Sequence, residues 1–200
     1  MISVPDYAHL KPGFADPVLD SQRAFRTIMS AIAYPGRIVT IGGSACGPSP
    51  LSPATTAFCL TLADGQTPIW LDVGARGSEI PTYLQFHCGA RIVDDPGAAQ
   101  FAIIVDAVAA PRLHLFDAGE DEYPDRSATM CLQVASLTDG AETRWSGPGI
   151  EHAIFPRVTV PDWFWSDWLA NAAAYPKGID VVFTCGDAAI ALPRTVKVEA

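Results

Sequence analysis

Ser52-Pro53-Ala54-Thr55-Thr56-Ala57-Phe58-Cys59-Leu60-Thr61-Leu62, then Ala63-Asp64-Gly65-Gln66-Thr67-Pro68-Ile69-Trp70-Leu71-Asp72, is the stretch that decides the fold. A serine hydroxyl followed by proline at the first helical position is a strong helix start, and the apolar run carries the helix to Leu62. Ala63-Asp64-Gly65 turns the chain, and residues 68–72 read as a short strand. A capped helix, a tight turn and a short apolar strand together form the repeating unit of a layered α/β domain.

Working outward, the same alternation continues in both directions. Asp20 or Ser21 is a helix cap, and the helix runs to about Ala33. Phe25, Ile28, Met29 and Ile32 recur at i, i+3, i+4 and i+7, which places them on one stripe expected to face the core. Tyr34-Pro35-Gly36 ends this helix, because proline cannot continue the ladder. Residues 37–41 then read as a strand, and residues 42–50 as a loop of small side chains. Beyond the central unit, Ser78 opens a helix through His87, followed by short strands at 91–93 and 101–105. Residues 129–137 and 142–146 flank Asp139-Gly140 and predict a β-hairpin. Residues 161–175 predict a helix, and 179–184 with 188–192 predict paired strands around Gly186-Asp187. Helices alternate with strands first and hairpins come later, so the sheet is expected to be mixed. No repeat or interdomain linker divides residues 1–200, which are expected to form one domain with an extended lead at 1–14. Residues 111–126 stay undecided, and Glu120-Asp121-Glu122 within them read as a solvated loop.

Composition narrows the function classes. The 200 residues are 49% hydrophobic and 18% charged, with a net charge of −9. That balance is charge-poor for a soluble domain and leaves apolar surface for partners. Three lysines, Lys11, Lys177 and Lys197, and no basic run argue against sequence-independent nucleic-acid binding, which needs a cationic footprint. The lead contains Pro5, Asp6, His9 and Pro12 and lacks the basic and apolar regions of a signal peptide. The most apolar stretch, residues 101–110, is interrupted by Asp106 and falls short of the ~20 residues of a membrane span. A cytoplasmic location is therefore expected, with Cys46, Cys59, Cys88, Cys131 and Cys185 as reduced thiols packed like small hydrophobes.

The familiar chemical signatures are missing. There is no Walker A loop, Gly147-Pro148-Gly149 does not extend into a dinucleotide fingerprint, and no CxxC or HExxH spacing occurs. His9, His87, His114 and His152 are too scattered to predict a metal site. Gly42-Gly43-Ser44-Ala45-Cys46 misses a nucleophile elbow at its last position, and Pro48 and Pro50 block the helix an elbow needs. A Schiff-base cofactor would need a lysine in an apolar pocket. Lys177, in a Pro-Lys-Gly turn, is the one conceivable candidate and reads as solvent-facing.

Several segments taken in order resemble the PhnH family of carbon–phosphorus lyase proteins. They are Ser21-Gln22-Arg23-Ala24-Phe25-Arg26 with Met29 and Pro35-Gly36, then Leu60-Thr61-Leu62-Ala63-Asp64 with Thr67-Pro68-Ile69-Trp70-Leu71. Phe86-His87-Cys88-Gly89-Ala90, Leu132-Gln133-Val134-Ala135-Ser136-Leu137 and Gly147-Pro148-Gly149-Ile150 follow. Pro176-Lys177-Gly178-Ile179-Asp180, Thr184-Cys185-Gly186 and Pro193-Arg194-Thr195 complete the set. The resemblance runs from about residue 15 to the C-terminus. It implies a three-layer αβα sandwich similar to the large domain of pyridoxal-phosphate-dependent transferases, without the cofactor. It also implies a homodimer that joins the G, I and J subunits in a core complex coupling an alkylphosphonate to the ribose of ATP. Members of the PhnH family are themselves implied to be non-catalytic within that complex.

No catalytic residue, cofactor or metal ligand is assigned from the sequence. Ligand or partner contacts are expected among Arg26, His87, Asp180 and Arg194. Each of the first three has a plain structural alternative: an ion pair for Arg26, a helix cap or core role for His87, a turn for Asp180. Arg194 is the first choice for an anion or a neighbouring subunit. Trp163, Phe164 and Trp165 point about 100° apart on a helix, so one core face cannot bury all three. Two are expected in the core and the third against a partner, with Trp163 and Trp165 as interface candidates. The competing functions are a free-standing small-molecule transferase and a nucleotide- or phosphonate-binding subunit.

Overall fold

The computed structural model describes residues 10–200; the Pro5, Asp6 and His9 part of the predicted lead lies outside them. In chain order the elements are α1 (Pro17–Ala33), β1 (Val39–Thr40), α2 (Pro53–Leu62), β2 (Pro68–Leu71), α3 (Val73–Arg76) and α4 (Ile80–Cys88). Next come β3 (Arg91–Val93), β4 (Phe101–Ile104), β5 (Thr129–Gln133), β6 (Arg144–Ser146), α5 (Phe164–Ala173), β7 (Asp180–Cys185), β8 (Ala188–Leu192) and β9 (Lys197–Glu199).

Seven strands form one mixed sheet in the order β1-β8-β7-β5-β4-β2-β3, and β6 pairs β9 in a separate ribbon. Strands β3, β2, β4, β5 and β7 are parallel, while β8 and β1 add antiparallel at one edge. The chain leaves β2 for β3 on one side and then crosses to β4 on the other. The sheet therefore has a topological switch point between β2 and β4.

Alternation along the strands makes two cores. Ile69, Leu71, Ile103, Cys131, Val182, Ala189 and Ala191 meet α1, α2 and α4 on one face. Ala102, Ile104, Met130, Leu132, Val181, Phe183, Ile190 and Leu192 meet α5 and the β6–β9 ribbon on the other. Strands buried on both faces read as continuous apolar runs, as parallel strands must. The expected α/β class with a mixed sheet is what the chain adopts.

Three local expectations are corrected. The 129–146 hairpin does not exist: β5 lies parallel between β4 and β7, and β6 pairs instead with β9, Trp145 opposite Val198. The predicted strand at 37–41 is only two residues long. Helix α1 begins earlier than expected, because Asp16 is its cap and accepts from the backbone amides of Val18 (3.1 Å) and Leu19 (3.0 Å). Asp20 Oδ2 accepts in turn from Asp16 N at 3.0 Å, the reciprocal logic of a capping box. The buried face of α1 is Ala24, Ile28 and Ala31, whereas Phe25 and Met29 of the predicted stripe are exposed. Small alanines let α1 lie close to α2, so the helix is rotated relative to the reading from large side chains.

Candidate functional site

In an open α/β sheet the ligand crevice lies beyond the carboxyl ends of the parallel strands, at the switch point. Here that position belongs to Asp72, one residue past β2 and 3% exposed. Its Oδ1 accepts from Ala75 N at 2.8 Å, capping α3, and its Oδ2 accepts from Val105 N at 2.9 Å and Asp106 N at 3.0 Å, just past β4. Backbone amides gathered at a helix start and a strand end form the donor set that elsewhere holds an anionic ligand. In this chain a built-in carboxylate holds them.

The next gap along the same edge is filled in the same way. The N-terminus of α2 faces Gln133, the last residue of β5. Gln133 Oε1 accepts from Ser52 N at 2.8 Å and from Thr55 Oγ1 at 3.1 Å, and its amide donates to Pro50 O at 3.0 Å. Thr55 of α2 and Thr184 of β7 then meet through their buried hydroxyls at 2.7 Å. What remains open beside them is a cleft of about 390 Å³ walled by Val105, Val108, Val134, Val160 and Pro161, with Gln133 at its base. Asp106 is the charged residue among its walls, and its carboxylate accepts from Val108 N. The cleft is therefore apolar with a carboxylate rim, the wrong sign for phosphate.

Arg194 and Asp180 come together at the opposite edge. Arg194 Nη1 donates to Asp180 Oδ2 (3.2 Å), to Gly178 O (3.0 Å) and to Ser127 Oγ, and Asp180 Oδ1 accepts from Arg194 N at 2.7 Å. The guanidinium thereby ties the entries of β5 and β7 to the end of β8. Arg26 sits elsewhere, exposed on α1 and without a hydrogen-bond or ion-pair partner among the described residues. His87 is a third location: its Nε2 lies 2.9 Å from Lys11 O, and its ring packs against Tyr83 and Phe86. It anchors the lead together with the bridge between Gly13 and Cys46. The four candidates thus occupy three separate places and build no common cleft.

On α5, Phe164 and Trp168 are fully buried, while Trp163 and Trp165 are partly buried at the edge of the same core. Of the three residues at 163–165 only Phe164 is wholly internal. Trp165 meets Trp145 edge-on at 6.3 Å. Trp163 lies under the Arg112 guanidinium at 5.3 Å, and Arg112 in turn pairs bidentately with Asp167. That pairing, with a further bond from Leu113 N, holds the Asp167 carboxyl below its usual range.

The remaining reactive groups are spent on structure. Ser44 of the broken elbow donates to Asp20 at 2.5 Å, tying its loop to α1 and lowering the Asp20 carboxyl. Lys177 pairs with Asp121 at 3.0 Å in its surface turn. All five cysteines are free, and burial pushes the Cys131 thiol up to about 12 and Cys88 up to about 11. Among the described residues no three His, Cys, Asp or Glu side chains gather as a metal site, and no helix is long and apolar enough to cross a membrane.

Sequence reasoning misses Asp72 and Gln133. Asp72 reads as the end of a strand, although an aspartate before a short helical run is a cap signal. Gln133 is a polar residue closing an apolar run, which marks a strand end facing a polar neighbour.

Comparison with known proteins gives a consistent answer over nearly the whole chain. The family model described as bacterial phosphonate metabolism protein (PhnH) matches residues 12–199. The chain is 40% identical over 187 residues to the alpha-D-ribose 1-methylphosphonate 5-triphosphate synthase subunit PhnH of Rhizobium meliloti (strain 1021), covering 93% of this chain and 94% of that one. It is 30% identical over 185 residues to HtxG of Stutzerimonas stutzeri, a protein named as a putative C-P lyase subunit protein, covering 88% of this chain and 85% of that one.

Proposed function

The chain belongs to the PhnH family of bacterial phosphonate metabolism proteins, and from that premise we propose that it is a non-catalytic subunit of the carbon–phosphorus lyase core complex. In this reading it supports the coupling of an alkylphosphonate to the ribose of ATP, forming a ribose 1-phosphonate 5-triphosphate. The observation that carries the non-catalytic role is Asp72. The amides that a nucleotide or phosphonate would need at the switch point are held by an internal carboxylate, which also repels an anion.

The reading extends to assembly. The chain forms a single domain and a homodimer that joins the G, I and J subunits in the cytoplasm. Its layering corresponds to the large domain of pyridoxal-phosphate-dependent transferases with the cofactor chemistry lost. Lys177, ion-paired at the surface, supports that loss. Trp163 and Trp165 are interface residues in the same reading, each partly exposed beside a rigid core. A free-standing transferase built from Arg26, His87, Asp180 and Arg194 finds no support, because these side chains do not converge.

Co-expression with the G, I and J subunits tests the proposal. The expected result is a complex that is stable and active only when this chain is present. A stable, active complex in its absence would overturn the reading. Titration of the isolated chain with ATP and with methylphosphonate is expected to show no saturable binding.

A further inference from the structure

Helix α1 presents to solvent the side chains that a reading by size would bury. Val18 is 77% exposed, Phe25 47% and Met29 37%. With Gln22 between the first two and the half-buried Ile32 beyond, these residues follow alternating steps of four and three along the helix. That spacing averages 3.5 residues and keeps one seam facing a partner helix, with knobs entering holes. The solvated face of a lone surface helix has no use for such a seam, since polar residues normally fill it.

The charges beside the seam specify the partner. Arg26 flanks Phe25 and has no partner among the described residues. Arg23 is held by Asp20 at 3.5 Å, and Asp20, the helix's one carboxylate, turns inward to Ser44. Just past the helix, Arg37 lies 4.4 Å over the exposed Tyr34 ring. This face is thus apolar and locally cationic on a chain of net charge −9. A second copy docking here by a two-fold axis through Phe25 would set Arg26 against Arg26, at a like-charge cost.

We propose that the α1 face is the docking surface for an amphipathic helix of another subunit, one with an apolar seam flanked by carboxylates. The inference rests on the subunit role proposed above and adds the place and the chemistry of the contact. Phe25 is the central knob, and Arg26 sets register by pairing with a partner carboxylate.

The test is co-expression of the unaltered chain, Phe25→Asp and Arg26→Glu with the G, I and J subunits. Both variants lie on an exposed face, so the isolated chains should keep the wild-type circular dichroism, thermal midpoint and sedimentation coefficient. Association with the other subunits is expected to weaken about 30-fold or more for Phe25→Asp, on the scale of a buried aromatic anchor, and less for Arg26→Glu. With Arg26→Lys, a zero-length carbodiimide should join the new amine to an Asp or Glu of another subunit. Undiminished assembly by Phe25→Asp would overturn this inference alone. A changed sedimentation coefficient, or a link to a second copy of this chain, would also overturn it by assigning the face to self-association. Failure of the unaltered chain to assemble would instead overturn the subunit reading beneath it.

Discussion

The two ends of the sheet are sealed by opposite chemistry. At the carboxyl end the backbone offers N–H groups from helix starts and strand exits, and side-chain oxygens of Asp72 and Gln133 accept them. At the amino end the backbone and side chains offer oxygens, and a single guanidinium, Arg194, donates to three of them. Strand and helix direction set the polarity of each edge, and the chain supplies the complement from within. A ligand-binding sheet of this kind would leave one edge unsatisfied. Here the amides around Asp72 and Gln133 and the oxygens around Arg194 are satisfied from within the chain.

This contrast can be broken at several points. The largest effect is expected for Asp72→Ala, which orphans one buried and two half-buried backbone amides and should cost about 3–5 kcal/mol in urea unfolding. If the variant regained stability in inorganic phosphate, the carboxyl end would be a latent anion site rather than a purely structural seal. Arg194→Met should cost about 2–3 kcal/mol, because Asp180 and Ser127 lose a charged donor while shape is roughly kept. Loss of complex assembly without loss of stability in that variant would move Arg194 from the fold to an interface. Gln133→Leu should cost about 1–2 kcal/mol, leaving the α2 start to find water. Nearly unchanged unfolding would mean that Thr55 and Thr184 satisfy the site by themselves.

The smallest effect concerns Asp167, on the periphery of both ends. Its folded pKa is depressed by Arg112, so its contribution is present above the unfolded carboxylate range and fades as pH falls through the folded value. Between about pH 5 and about pH 3, Asp167→Asn should therefore lose less stability than the unaltered chain in paired melts. An identical slope would show that other carboxylates govern the acid limb.

Much of the fold is legible in residues that punctuate it. Ser52-Pro53 and Gly186-Asp187 mark element ends that the structure keeps, while Gly89, in the left-handed conformation (φ 64°), closes α4 one residue past the expected end at His87. The 129–146 region misleads because Asp139-Gly140 satisfies the local rule for a hairpin turn. The competing signal is Met130-Cys131-Leu132, three apolar residues in a row, which alternation in a half-solvated hairpin would forbid. The α1 face misleads for a related reason: size is a poor guide to burial where close helix packing selects Ala24 and Ala31. Pairings such as Arg194 with Ser127, or Asp72 with Val105, join positions far apart in the chain. No local pattern encodes them, so Asp180 and Arg194 are visible as residues but not as a pair, and Asp72 and Gln133 are not singled out at all.

The sheet's outermost strands are short, β1 with two residues and β3 with three. Such stubs offer too few free backbone groups for a neighbouring molecule to extend the sheet by strand addition. Edge-to-edge extension of the seven-stranded sheet is thereby disfavoured, and contacts with a neighbour fall to side-chain surfaces instead.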